Sequence, residues 1–360
     1  MRPLAAGARV CAVLIAIFTA GGRADAATTV ETIASLSGPD RQAILEAGAR
    51  QEGVVVWSGT VGADMRDMLA KAFKRKYPYL RVEGQRLVGS QAFQRALAEQ
   101  TGKAPPRNDL IAGNALVDLK KAGLAQSFRS PLIDALPKEF QEPSGLYAAY
   151  RYAYYGIAYN TALINSGEAP HSYEDLLDPK WRGKIVWNHG PESGAPVLIT
   201  YFRRLWGEER AARYLHKLSQ QLVKTELGSP RETLDGVLTG KHYLMLGASL
   251  HQVAALRAGG ASLDATMQDP VLARDNYVVL LKKAPHPHAA MLFIDFILDR
   301  EAQEILRGDQ YYPANPDVDP PEVMMPYDPL RHGLKQFTVD DETLAQERAK
   351  STALLRKYFR

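Results

Sequence analysis

The 360-residue chain contains a single cysteine, Cys11. With no second thiol, no disulfide forms within the chain. Beyond residue 11, a cysteine nucleophile, a thiolate metal site and an iron–sulfur cluster are all excluded. Excess charge of one sign is also missing. There are 44 basic and 40 acidic residues, for a net charge of +4, and no block of five or six Lys/Arg. With no zinc-finger or RNA-binding signature either, the composition argues against a nucleic-acid partner. No G-x-S-x-G elbow, H-E-x-x-H helix or phosphate-binding P-loop is present, which argues against a secreted hydrolase or lyase. His189 near Glu192 is an acid/base pairing of a kind that arises by chance.

What is present reads as a soluble globular chain, 46% hydrophobic and 23% charged. Its N-terminus reads as a secretory signal: Arg2 and Arg9, the apolar run Val10–Phe18, and the small-x-small site Ala24-Asp25-Ala26. The run is too short for a stable bilayer-spanning helix. Cleavage after Ala26 removes Arg2, Arg9, Arg23 and Asp25, leaving a net charge near +2 and no cysteine. A domain of that size stands on its hydrophobic core without disulfides.

From residue 40 onward, helical and strand patterns alternate. Helical periodicity covers 40–52, 63–76, 90–101, a long stretch 195–221, about 250–258, 287–299 and about 340–357. Short apolar runs bounded by turn residues read as buried strands: Val54–Trp57, Leu80–Glu83, Asp109–Ala112, Lys184–Trp187, Tyr243–Leu246 and Tyr277–Leu281. Ser229-Pro230-Arg231-Glu232 is a helix start, with Ser at the N-cap and Pro at the first helical position. The alternation predicts an α/β architecture of doubly wound sheets in two units. Open α/β sheets bind ligands at the C-terminal ends of their strands, so two such edges facing one another would form a cleft.

Four segments, in order, resemble type 2 extracellular solute-binding proteins of ABC importers. They are Tyr155-Gly156-Ile157-Ala158-Tyr159-Asn160-Thr161, Ser172 through Ile185 (SYEDLLDPKWRGKI), Ala284 through Phe296 (APHPHAAMLFIDF) and Tyr312-Pro313-Ala314-Asn315-Pro316. The resemblance covers about residues 53–320 and is nearest to the ferric-iron-binding subgroup. It implies a two-lobed periplasmic binding fold with a two-segment hinge. Lobe 1 would take 27–153 and 266–360, lobe 2 would take 154–265, and 1–26 would be the signal peptide. It further implies a periplasmic, monomeric, cofactor-free binder that delivers a small-molecule ligand to an inner-membrane ABC permease. Trp181 and Gly183 are expected to fix a loop, and His286 and His288 to start a helix facing solvent.

One departure bears on the ligand. Iron-binding members carry adjacent tyrosines after the strand that here is Tyr243–Leu246, whereas this chain reads Gly247-Ala248-Ser249-Leu250-His251-Gln252. What remains is a cradle of neutral donors suited to an anion: Ser58, Gly59 and Thr60, Ser90, Asn114, Glu192 and Ser193, Ser229 and Ser249. Arg231 would supply a charged fork, His251 and Tyr311 further contacts, and Tyr152 or Tyr155 an aromatic cover. The expected cargo is a small anionic solute. The alternative is ferric iron held by Tyr311, Tyr312 and His251. A sensor role would use the same cleft.

Overall fold

The computed structural model describes residues 29–87, 89–113, 116–136, 141–142, 144–190 and 194–359. The expected signal segment lies outside the described residues, as do Asn114, Glu192 and Ser193. Twelve strands are described: β1 (Val54–Gly59), β2 (Arg81–Arg86), β3 (Leu110–Gly113), β4 (Ala125–Gln126), β5 (Ala148–Asn160), β6 (Ile185–Asn188), β7 (Lys224–Glu226), β8 (Leu244–Ser249), β9 (Leu263–Thr266), β10 (Val271–Leu281), β11 (Tyr312–Pro313) and β12 (Gln336–Thr338). The α-helices are α1 (Val30–Ala34), α2 (Arg41–Glu52), α3 (Ala63–Lys76), α4 (Gly89–Gln100), α5 (Leu116–Lys121), α6 (Pro131–Asp134), α7 (Ala195–Trp206), α8 (Glu208–Ser219), α9 (Pro230–Leu238), α10 (Leu250–Ala258), α11 (Pro287–Leu298), α12 (Arg300–Leu306) and α13 (Asp341–Tyr358).

The strands join in the order β2-β1-β3-β10-β5-β8-β6-β7. Instead of two separate sheets, one hydrogen-bonded path runs through two long antiparallel strands, β5 and β10. Each is shared between two halves. In the first half, β3 pairs with Tyr277–Leu280 of β10, and β1 and β2 follow in parallel. In the second, β8 and β9 pair with Tyr155–Asn160 of β5, and β6 and β7 extend the edge. Between the halves, β5 and β10 pair chiefly with each other, with β11 along the outer edge of β5. Register shifts at Asn276/Tyr277 and at Gly156/Ile157 bracket this section. A bulge bends its strand and raises the local twist, so the shifts mark the two ends of a hinge.

Each half has its own core on both faces of its strands. Trp57, Phe73, Phe293 and Phe296 lie in one cluster of the first half, and Ala96, Leu116, Leu119 and Val279 in the other. Trp187, Ile199, Phe202 and Leu215 lie in one cluster of the second half, and Val186, Leu234, Met245 and Val253 in the other. Burial on both faces explains why Val54–Trp57 reads as an unbroken apolar run.

Three expectations are corrected. The stretch 195–221 is two helices, broken at Gly207 (φ 81°, ψ 163°), a conformation that L side chains avoid. The C-terminal residues do not join the first half: Val339, Leu344, Leu355 and Phe359 pack in a core cluster of the second, as does Leu272. Finally, His286 and His288 are tied down rather than solvent-facing. His286 Nδ1 is 3.1 Å from the buried Asp109 carboxylate, and His288 Nδ1 is 2.7 Å from Glu52. The same two carboxylates accept the backbone N–H groups of His286, His288 and Ala289 at the start of α11.

The Asp109 carboxylate raises the His286 pKa above its ordinary value, while burial raises that of Asp109. Both shifts mean that the folded state holds protons more tightly than the unfolded one. The contribution is fully present below the unfolded histidine value and is lost as pH rises through the folded one. The Tm advantage of the wild type over His286→Gln should therefore shrink from pH 5.5 to pH 8.5, as read by calorimetry.

Candidate functional site

The hinge ladder decides which side chains meet. Side chains alternate across a strand, and residues directly opposite share a face. The register Asn276↔Arg151, Arg274↔Ala153 and Leu272↔Tyr155 puts Arg151, Arg274, Asn276 and Tyr155 on one face. Tyr152, Tyr154 and, through β11, Tyr312 share the other.

On the first face, Arg151 is 1% exposed. Its Nη1 donates to Asp309 Oδ2 at 2.9 Å and its Nη2 to Thr60 Oγ1 at 3.1 Å. The Thr60 hydroxyl in turn donates to Asn276 Oδ1 at 3.2 Å, and Gly62 N–H to Asp309 Oδ2 at 3.4 Å. These bonds bind the β1–α3 turn to the hinge. The guanidinium carbon sits 3.9 Å from the centre of the Tyr311 ring. That ring also meets His251, with centroids 4.2 Å apart and planes tilted by 31°. Since α10 belongs to the second half, the Tyr311 ring brings that half to the Arg151 cluster. Tyr155, half-buried, lies opposite Ser249, the residue before α10.

Among the described residues, two buried nitrogens here, Arg151 Nε and His251 Nδ1, have no hydrogen-bond partner. An unpaired buried polar group costs about 1–3 kcal/mol, a cost that a solute bound beside the Tyr311 ring would relieve. Burial first, and the Arg151 charge second, push the His251 pKa down to about 3. The imidazole is neutral at physiological pH. Burial also raises the Tyr311 pKa, against the opposing charge of Arg151, so its phenol stays protonated. The cluster thus offers a guanidinium, a neutral imidazole, hydroxyls and the first turn of α10, whose N-cap Ser249 makes no side-chain cap. These groups suit a small anion and, among the described residues, include no anionic donor other than Asp309.

Of the expected site residues, Thr60, Tyr155, Ser249, His251 and Tyr311 come together here. Tyr152 and Tyr312 do not, because the two-residue period turns them to the opposite face. There they stack at 5.3 Å, and the Tyr312 hydroxyl donates to the Met324 carbonyl at 2.9 Å. The iron alternative therefore loses its adjacent phenols. Ser58 is sealed in a buried network, donating to Asn108 and accepting from Gln85 at 2.9 Å. At Gly59 a side chain would collide with the Ala112 carbonyl oxygen. Ser90 is exposed in the first turn of α4. Ser229 and Glu232 form a reciprocal capping box, and Arg231 pairs with Asp235 at 2.9 Å on the surface. Sequence reasoning missed Arg151, Arg274, Asn276 and Asp309. The available signal was a charged residue within the alternating run Tyr150-Arg151-Tyr152-Ala153-Tyr154-Tyr155.

Two α/β halves joined by a pair of long shared strands have the architecture of a two-lobed solute-binding protein. Residues 104–327 match the bacterial extracellular solute-binding protein family, and the chain belongs to it. It is similar to an uncharacterized protein of Haemophilus influenzae, 27% identical over 251 residues, covering 65% of this chain and 70% of that one. It also resembles iron uptake protein A1 of Synechocystis, 22% identical over 205 residues, covering 53% and 57%. Among solved structures, the periplasmic binding protein AfuA of Actinobacillus pleuropneumoniae, with fructose-6-phosphate bound, superposes with a TM-score of 0.66 at 25% identity. That match covers 85% of this chain and 98% of that one. Among the described residues, no helix is long and apolar enough to cross a membrane.

Proposed function

We propose that this chain captures a small anionic solute in the interlobe cleft and presents it to an ABC permease after export through a cleaved signal. The observation carrying this reading is Arg151: a buried guanidinium in the hinge, fixed by Asp309 and Thr60, against the same Tyr311 ring as His251, with Arg151 Nε and His251 Nδ1 both unpartnered among the described residues. Arg274 on the same face adds a second cation along the ladder. The sugar phosphate bound by AfuA supports the same class of cargo. The solute enters between the halves, draws contacts from both, and shifts the population toward the closed form, which binds it better. No covalent step is involved, and the chain acts as a carrier rather than an enzyme.

A thermal-shift screen tests the reading with sugar phosphates, phosphonates, carboxylates and ferric citrate. A ligand at about 100 times its Kd should add about 2.7 kcal/mol of stability. A response to Fe(III) alone, with none to any organic or inorganic anion, would replace this reading with the iron one.

The neutral state of His251 has a measurable consequence. With its pKa held near 3, the imidazole gains no charge between pH 8 and pH 5. The Kd for a sulfonate, whose charge is constant over that range, should stay within about twofold by calorimetry. A tightening of tenfold or more toward pH 5 would mean that His251 protonates.

A further inference from the structure

The C-terminal helix carries one contact that the solute site does not use. Along most of its length α13 is fastened to the second half. Leu344, Leu355 and Phe359 are buried there. The Ser351 and Thr200 hydroxyls are 2.8 Å apart, Arg203 reaches both Ser351 and Glu347 at 2.9 Å, and Lys350 reaches Glu208 at 2.8 Å. At its N-terminal end, however, Glu342 is ion-paired with Lys120. Lys120 belongs to α5, whose Leu116 and Leu119 are buried in a core cluster of the first half. Glu342 also raises the Lys120 pKa, with Glu142 and Asp340 contributing at longer range. The lysine therefore faces carboxylates from both halves.

Any rotation of one half against the other about β5 and β10 displaces α13 relative to α5. The ion pair, which joins elements outside β5 and β10, is therefore sensitive to that rotation. We propose that Lys120 and Glu342 are positioning residues: a charge latch through which α13 holds the two halves in the conformation seen here, setting apparent solute affinity without touching the solute. The Lys120 and Glu342 side chains are 32% and 42% exposed. Solvent and salt screen such a pair, so its leverage is modest and dependent on ionic strength. A ligand that binds only the closed form loses apparent affinity in proportion to the closed fraction.

This inference needs only the two-lobed fold, so the deciding measurement is made without solute. Small-angle scattering of the ligand-free protein should show a larger radius of gyration for Lys120→Glu than for wild type at low salt. Wild type in about 1 M NaCl should approach the Lys120→Glu value, since the Debye length there is about 3 Å. Adding Glu342→Lys to Lys120→Glu should restore the compact value. If Lys120→Glu folds poorly, Lys120→Gln serves with a smaller shift. With inorganic phosphate as probe, Kd should weaken about two- to tenfold in the single variant and recover in the swapped one. An unchanged radius of gyration in Lys120→Glu, whether or not Tm falls, would reduce the pair to a structural contact and overturn the latch. Failure of phosphate to bind any form would count against the anion reading and leave the scattering result standing.

Discussion

Replacing Arg151 by methionine should weaken binding of anionic solutes about 100-fold or more, the largest functional effect expected of any single substitution. A charge-assisted hydrogen bond contributes about 1.5–3 kcal/mol, and each 1.4 kcal/mol is a factor of ten in Kd. The side chain also organises its neighbours. Thr60 Oγ1, Asp309 Oδ2 and the Tyr311 ring all take their positions from the guanidinium. Methionine fills similar volume but leaves Asp309 without its cation, so stability should fall as well. Titration well below the lowered Tm separates the two losses. Arg151→Lys keeps the charge but not the planar fork, and should retain an intermediate affinity, about tenfold weaker than wild type. An Arg151→Met protein that still binds the same anion within threefold of wild type would remove the guanidinium from the site.

The second large effect is on stability. Phe293→Ala should cost about 3–5 kcal/mol, as expected for truncating a fully buried aromatic. The Phe293 ring meets Trp57 at 5.3 Å, Phe73 at 5.1 Å and Phe296 at 6.0 Å, so the surroundings have little room to collapse into the void. Phe202→Ala is the matching change in the other half, where Phe202 stacks on Trp206 at 4.7 Å with planes 4° apart. The two halves have separate cores but share β5 and β10. Either substitution should therefore lower a single cooperative transition rather than split it into two. Calorimetry that resolves one shifted and one unshifted peak would show that the halves melt independently.

Local features of the sequence were legible because short-range physics decides them. The helix read at 63–76 is α3, closed by its own pattern of Leu69, Ala72 and Phe73. The helix read at 40–52 is α2, and Gly53 closes it at φ 68°. Ser229-Pro230-Arg231-Glu232 is the helix start its residues announce. Of the expected residues in the cluster, Thr60, Ser249 and His251 lie at or beside the boundary of an element, where turn and cap chemistry is readable. Arg151 escaped because a charge inside an aromatic run, though noticeable, gives no direction or partner until the strand and its neighbours are known. Tyr152, expected as an aromatic cover, and Tyr312, expected as a donor in the iron alternative, lie on the face away from Arg151, because the phase of a two-residue period depends on register, which is set with β10 and β11 rather than by β5 itself. The placement of α13 was illegible for a similar reason: an amphipathic helix reveals which face it buries but not against which neighbour.

The hinge arginines stand on the segment that bends rather than on either rim. Under the proposed function, grip on the charged group of a cargo is built into that segment, while the loops at the strand ends remain free to vary. Substitutions in the rim could re-tune which molecule is carried, leaving the shared anion grip and the mechanics of closure as they are.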